Sequence, residues 1–367
     1  MNGSLRALTE AGVSVWLDDM SRARLRDGSL EQLITDLGVS GVTTNPTIFA
    51  GAVSDSATYS EGLAELSRSG EAAEGATETL MVQDVAGACD VLLDVWDSTE
   101  GVDGRVSIEV DPTLAHQEEE TVAVAQRLHT RVDRPNVLVK IPATKAGLPA
   151  IKRTLAAGVS VNVTLIFSPV RYREVLEAWV AGCEEALAAG IPAEQLVSVA
   201  SFFVSRVDTA VDALLDELPD PRATELRGGT GLANARLAHA VFREFTATER
   251  VQALAASGVR LQRPLWASTG VKDPAYSPTM YVEGLVTEGS VNTLPEATLL
   301  AAAAAEPAVE ETVISRYEQA VGHFAELADL GVDMDAIYVQ LEDEGVEKFV
   351  NSWRDLLQSV ESGLAQA

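Results

Sequence analysis

Short apolar, β-branched runs recur along the chain, each followed by a longer stretch in which apolar residues return every three or four positions. The runs are Val13–Leu17, Gly41–Thr43, Val106–Val110, Val137–Ile141, Val161–Phe167, Leu196–Phe202, Leu265–Ala267 and Val291–Thr293. Their near-continuous hydrophobicity is the habit of strands covered on both faces, as in parallel sheets. The stretches between them, among them Glu118–Arg131, Gly147–Ala157, Pro169–Ala189, Ser205–Glu217 and Gly231–Ser257, predict amphipathic helices. Regular alternation of strand and helix gives parallel pairing with right-handed crossovers, and eight such units close most economically into an α/β (β/α)8, or TIM, barrel.

Such a barrel uses about 250 residues, whereas the chain has 367. The surplus is expected in a largely helical insert over Gly51–Thr99, in a long connection around Asp220–Gly231, and in extra C-terminal helices over residues 306–367. The Ala301–Ala305 run, with Glu306-Pro307 after it, is expected to end one helix and begin that last connection. No Ser/Gly-rich linker divides the chain, and no repeat is visible beyond the alternation itself. One barrel domain over residues 1–367, with decorations, is the expectation.

Charge narrows the partners. The formal net charge is −28, from 55 acidic and 27 basic residues, so a nucleic-acid groove or an anionic membrane surface is not expected. No run of about eighteen apolar residues marks a membrane span, and Met1–Gly12 lacks a signal-peptide profile. The two cysteines, Cys89 and Cys183, exclude a disulfide framework and suit a reducing cytoplasm. His116, His129, His239 and His323 are scattered without ligand spacing, so no metal is expected.

Lys140 breaks the apolar pattern most sharply. It lies in Val137-Leu138-Val139-Lys140-Ile141-Pro142, where the strand pattern calls for an aliphatic residue. A lysine out of water needs a partner or loses its charge, and a neutral amine is a nucleophile. The plain structural reading is a strand-end lysine that reaches water or pairs with a buried carboxylate.

Barrel chemistry sits at the C-terminal ends of the strands, and polar residues gather at those positions here. They are Asp18 and Asp19 after the first run, Thr43 to Asn45 after the second, Glu109 in the third, Lys140 in the fourth, Asn162 and Thr164 in the fifth, Ser201 to Arg206 around the sixth, and Ser268 to Gly270 after the seventh. Each has an ordinary structural reading: Asp18 or Asn45 as a helix cap, Glu109 as the partner of Lys140, Thr164 bonded within the barrel. Together they fit an amine-based covalent site. A lysine adding to a carbonyl needs an acid/base group and an ordered water to expel hydroxide, which Glu109 and Thr164 could supply. The iminium so formed is an electron sink, and a second base, Asp18, could then drive carbon–carbon cleavage. Arg206 offers a fork of donors to a phosphate.

The segments Thr43-Thr44-Asn45-Pro46, Val106-Ser107-Ile108-Glu109-Val110-Asp111, Val137 to Thr144, Asn162 to Ser168, Ser201 to Arg206 and Val291-Asn292-Thr293-Leu294-Pro295 resemble the transaldolase family of Schiff-base aldol-transfer enzymes, in the family's order. Chain length and the Trp16-Leu17-Asp18-Asp19 opening are similar to its longer bacterial branch. The resemblance implies Lys140 as Schiff-base former, Asp18 as the base for bond cleavage, and Glu109 with Thr164 managing the catalytic water. Thr43, Asn45, Asn162 and Ser201 would line the pocket for a three-carbon ketol unit, with Phe203 and Ser268 in the same substrate-binding set. Arg206 matches the family's phosphate-binding arginine. The second such arginine has no match; Lys272, in Ser268-Thr269-Gly270-Val271-Lys272, stands near its place.

The implied reaction transfers dihydroxyacetone from sedoheptulose 7-phosphate or fructose 6-phosphate to glyceraldehyde 3-phosphate or erythrose 4-phosphate, in the pentose phosphate pathway and without a cofactor. Alternatives are an aldolase that releases dihydroxyacetone, and a catalytically silent barrel that binds sugar phosphates. Monomer and homodimer both remain open. Finally, Leu226 to Gly231 (Leu-Arg-Gly-Gly-Thr-Gly) fits neither the P-loop nor the dinucleotide spacing and reads as a loop feeding a helix, with a supplementary anion contact as the other option.

Overall fold

The computed structural model describes residues 3–54, 57–305 and 309–367. Eight parallel strands form a closed barrel in sequence order. They are β1 (Ser14–Leu17), β2 (Gly41–Val42), β3 (Arg105–Glu109), β4 (Val137–Pro142), β5 (Val161–Ile166), β6 (Ser198–Phe203), β7 (Arg263–Ala267) and β8 (Val291–Leu294). β8 pairs back onto β1, with Trp16 opposite Thr293. The expected (β/α)8 barrel is therefore the fold, and each expected strand agrees with the observed one to within two residues at either end.

The apolar runs looked continuous because both faces of the sheet are covered. Val15, Leu17, Ile108, Val139, Val163 and Trp266 point outward into the cluster shared with the helices. Trp16, Leu138, Val199, Leu265 and Val291 point inward and fill the barrel's lower half. The Trp16 indole needs room: a Cβ on Gly41 would lie 2.5 Å from it, so β2 carries glycine at this register.

One strand departs from regular geometry. The β5–β6 register shifts between Val163 and Ile166, and Leu165 has a φ of 58°. A left-handed backbone at a bulky residue costs energy that its surroundings must supply. Here Leu165 joins Phe167, Phe203 and Phe349 in the inner cluster, beneath the last helix.

The surplus chain falls into several helices. Pro46–Ser54, Ser60–Arg68, Ala73–Val91 and Leu93–Ser98 occupy the stretch between β2 and β3. Within it, Asp55 and Ser56 lie outside the described residues, as do Glu306 and Pro307 beyond the helix Glu296–Ala304. Gly231–Ser257 is not one helix, as its periodicity suggested, but two, Thr230–Thr246 and Glu249–Ala256. At the break the hydroxyls of Thr246 and Thr248 donate to the carbonyls of Phe242 and Phe245, local bonds that compete with the helical ladder.

The Gly-rich segment feeds the helix at Thr230, as expected. Its amides are already taken, since Gly228 N donates to Asp212 at 3.0 Å and Gly231 N to Asp208 at 2.7 Å. The protein's own carboxylates fill the place an anion would occupy, which corrects the supplementary-anion option.

The C-terminal helix, Met334–Gln366, positions part of the site. Asp333 caps it, accepting from Ala336 N at 3.1 Å. Ile337, Leu341, Gly345, Phe349, Trp353, Leu356 and Val360 are its buried residues, a stripe at helical spacing. This stripe lies across the end of β5 and against the helices Pro46–Ser54 and Ser60–Arg68. Among the described residues no helix is long and apolar enough to cross a membrane.

Candidate active site

Parallel register sets the site's inner layer. Glu109 on β3 pairs with Lys140 on β4, and Lys140 with Asn162 on β5, so three polar side chains stand at one level inside the barrel. Lys140 is 5% exposed and Glu109 3%. The Lys140 ammonium donates to the Thr44 carbonyl at 2.8 Å. It stands 3.7 Å from Glu109 Oε2, an ion-pair distance longer than a hydrogen bond.

Two buried oxygens, Glu109 Oε2 in this layer and Thr164 Oγ1 in the layer above it, have no hydrogen-bond partner among the described residues. Buried polar atoms are seldom left so, and these two stand beside the Lys140 amine and the cavity above it. Burial pushes the Glu109 carboxyl up to about 7; Lys140 pulls it down and Asp18 adds to the rise. At neutral pH Glu109 is thus poised between giving and accepting a proton.

Asp18 follows β1 on the opposite wall. Thr43 Oγ1 donates to Asp18 Oδ1 at 2.7 Å and lies 2.7 Å from Thr293 Oγ1, a hydroxyl relay joining the ends of β1, β2 and β8. Burial raises the Asp18 pKa, opposed by the Lys140 charge and the Thr43 bond. The two carboxylates therefore have different neighbours: Glu109 stands behind the amine, and Asp18 is held by hydroxyls across from it.

Between them opens a cavity of about 210 Å³, lined by Asp18, Thr43, Asn45, Lys140, Thr164, Ser201, Phe203, Arg206, Ser268 and Lys272 among others. Ten of the twelve residues singled out in the sequence thus face one space. Asn45 serves two ends: its Oδ1 accepts from Ile48 N at 3.1 Å, capping the helix Pro46–Ser54, while its side chain also borders the cavity. Ser268, at a φ of 55°, lies 2.9 Å from Ser205 Oγ through its hydroxyl.

The remaining two lie beneath the cavity. Glu109 stands behind Lys140, and Asn162, fully buried, donates to Ser107 Oγ at 3.0 Å and accepts from Ser201 Oγ at 2.7 Å. In this structure Asn162 stands beneath the cavity wall and does not line it. Its carbonyl oxygen positions Ser201 and one amide N–H holds Ser107, one layer below Thr164.

Arg206 opens the helix after β6, and its guanidinium lies over the rings of Phe203 and Phe349 at 5.0 and 5.8 Å. Sequence reasoning missed Lys348 and Phe349, which line the same cavity from the C-terminal helix. They lie far from any strand end, where barrel chemistry is sought. The signal available was the scarcity of lysine, with only five in the chain.

A barrel with a buried amine, two separated carboxylates and a cationic rim is the architecture of a lysine-dependent aldol enzyme. Comparison with known proteins agrees. A model of the Transaldolase/Fructose-6-phosphate aldolase family matches residues 15–360. A transaldolase of Mycobacterium tuberculosis (strain ATCC 25618 / H37Rv) is 52% identical over 367 residues, covering 100% of this chain and 98% of the relative. One from Saccharopolyspora erythraea is 51% identical over 366 residues, with 100% and 99% covered. Transaldolase 1 of Streptomyces coelicolor is 52% identical over 362 residues, with 99% and 95% covered. The chain belongs to the transaldolase/fructose-6-phosphate aldolase family. Full-length identity at this level to transaldolases supports transaldolase activity over the aldolase and silent-barrel alternatives.

Proposed function

We propose that the transfer runs through a Schiff base on Lys140, with a ketose phosphate as donor of a dihydroxyacetone unit and an aldose phosphate as acceptor. The observation that carries this reading is the buried Lys140 amine, with Glu109 3.7 Å behind it and Asp18 across the same cavity.

Lys140 Nζ attacks the ketose C2 carbonyl, forming a carbinolamine. Protonated Glu109 gives a proton to the departing hydroxyl, water leaves, and an iminium remains. Thr164, whose hydroxyl has no partner among the described residues, holds that water. Asp18 takes the proton from the C4 hydroxyl as the C3–C4 electron pair moves into the iminium, so the aldose leaves and an enamine stays on Lys140. The acceptor aldehyde then adds to the enamine while Asp18 returns the proton, and water, activated by Glu109, releases the new ketose.

Thr43, Asn45 and Ser201 hold substrate hydroxyls, Phe203 and Ser268 complete the wall, and Arg206 with Lys272 receives the phosphate. Fructose 6-phosphate or sedoheptulose 7-phosphate fits as donor, and erythrose 4-phosphate or glyceraldehyde 3-phosphate as acceptor, which places the reaction in the pentose phosphate pathway. No step asks for a metal or an organic cofactor. Two unpaired, buried cysteines, Cys89 and Cys183, suit a reducing cytoplasm.

The test is a product assay with fructose 6-phosphate, with and without erythrose 4-phosphate. Sedoheptulose 7-phosphate formed only with the acceptor, at a rate well above any release of free dihydroxyacetone, is the expected result. Equal dihydroxyacetone release with and without acceptor would make the enzyme an aldolase.

A further inference from the structure

The chain is strongly acidic, with a net charge of −28 and only five lysines, yet three of those lysines, Lys140, Lys272 and Lys348, line one cavity together with Arg206. Lys140 is engaged at the base. At the rim, none of Arg206, Lys272 and Lys348 has a carboxylate within ion-pair distance among the described residues, although most arginines on this surface do. Chance would not leave three cations unpaired and adjacent in such a molecule, because each would gain by turning to one of the many carboxylates. They repel one another: partial desolvation at the cavity rim lowers the Lys348 pKa, and the charges of Arg206 and Lys272 lower it further.

The helix carrying Lys348 is built to bring it there. Gly345, Lys348 and Phe349 are spaced three and four residues apart and so share a face. A Cβ on Gly345 would lie 3.1 Å from Leu165 Cδ2 and 3.4 Å from a guanidinium nitrogen of Arg206, so glycine lets the helix approach the barrel mouth closely. Phe349 then covers the Arg206 guanidinium, which keeps its fork of donors fixed, and Lys348 projects into the cavity one position before it. The close fit at Leu165 uses the strained turn of β5.

We infer that Lys348, carried by the C-terminal helix and not by any barrel strand, is a phosphate-binding and specificity-determining residue that joins Arg206 and Lys272 in holding the substrate's phosphate dianion. The inference rests on the reading that the substrates are sugar phosphates. A planar guanidinium supplies directed hydrogen bonds, while two flexible ammonium groups supply charge from two further sides. The last helix thereby becomes part of the binding site, tied to the ends of β6 and β7 through the ligand.

Lys348 is solvent-exposed, so Lys348→Gln should fold. The test compares the full-length protein with Lys348→Gln and Lys348→Arg, in two assays. In the first, the ratio of kcat/KM for fructose 6-phosphate to kcat/KM for unphosphorylated fructose is measured with one acceptor. It should fall about tenfold in Lys348→Gln, through KM more than kcat, and recover in Lys348→Arg, as loss of one charge-assisted contact requires. In the second, inorganic phosphate is titrated by calorimetry without any sugar, and its Kd should rise about tenfold in Lys348→Gln. An unchanged ratio together with an unchanged phosphate Kd would overturn the assignment, and so would equal losses for phosphorylated and unphosphorylated ketose, which mark a structural role. Failure of the unsubstituted protein to transfer from fructose 6-phosphate would strike the catalytic reading instead, and the phosphate titration would still judge Lys348.

Discussion

The two ends of the barrel bury charge in opposite ways. At the lower end Asp103, 9% exposed, accepts from Ser14 Oγ at 2.6 Å, Trp16 Nε1 at 2.9 Å and Arg263 Nη1 at 3.0 Å. At the upper end Glu109, also buried and six residues along the chain, has one oxygen without a hydrogen bond among the described residues and stands 3.7 Å from the Lys140 amine. A buried carboxylate surrounded by donors is held in one ionisation state and contributes to structure. One with too few donors has its pKa pushed toward neutrality and is available for proton transfer. The number of donors around a buried carboxylate, more than its burial, separates the structural end of this barrel from the chemical one.

The same contrast holds among cations. Arg263 is committed to Asp103 and to carbonyls at the bottom, whereas the rim cations at the top have no carboxylate within ion-pair distance among the described residues. A protein that left those cations free for stability's sake would gain nothing; leaving them free for a dianion gains affinity.

Among the carboxylates the largest effect is expected at Asp18, the proposed base at the upper end. Asp18→Asn removes the base while keeping the shape, and we expect kcat to fall by roughly 10²–10⁴, with stability little changed and the Schiff base still able to form. A variant that keeps more than a tenth of the parental kcat would remove Asp18 from the mechanism.

A smaller pair of changes compares the two ends directly. Asp103→Asn should cost about 3–5 kcal/mol of stability, because Arg263 loses its buried partner, while kcat per folded molecule stays at the parental value. Glu109→Gln should behave in the reverse manner, losing turnover while flattening the dependence of stability on pH. Burial raises the folded Glu109 pKa from 4.5 to about 7, so the native state binds more protons than the unfolded chain between those values. The stability this contributes is fully present below about 4.5 and is lost as pH rises through about 7, an amount of order 3 kcal/mol. Glutamine imitates the protonated form at every pH, so denaturant unfolding at pH 4.5 and pH 8 should differ less in the variant by about that amount. Parallel curves for the parent and Glu109→Gln would contradict the contrast drawn between the two carboxylates.

Much of this was legible in the sequence because strand periodicity and chemistry coincide at barrel ends. Lys140 stood out by interrupting a β-branched run, and Asp18, Thr43, Glu109, Thr164, Ser201 and Arg206 each interrupt, close or follow such a run. What escaped depended on depth and on distant chain. Asn162 reads in sequence like Thr164, two residues on, yet register places it a layer lower, where Ser107 and Ser201 consume its amide. Lys348 and Phe349 reach the cavity from a helix whose crossing of the barrel mouth depends on a close contact at Gly345, and no local pattern announces a tertiary approach of that kind. The division of the helix at Ala247 likewise rests on hydroxyl-to-carbonyl bonds that hydrophobic spacing does not reveal.

Whether Lys140 forms the covalent bond to substrate is decided by borohydride trapping. The enzyme is incubated with fructose 6-phosphate, reduced, digested and mapped by mass spectrometry. A reduced adduct of the ketose or its dihydroxyacetone fragment is expected on the peptide bearing Lys140, absent without sugar and absent in Lys140→Met, which should also lose turnover. An adduct on any other lysine, or Lys140→Met turning over at the parental rate, would contradict a covalent role for Lys140.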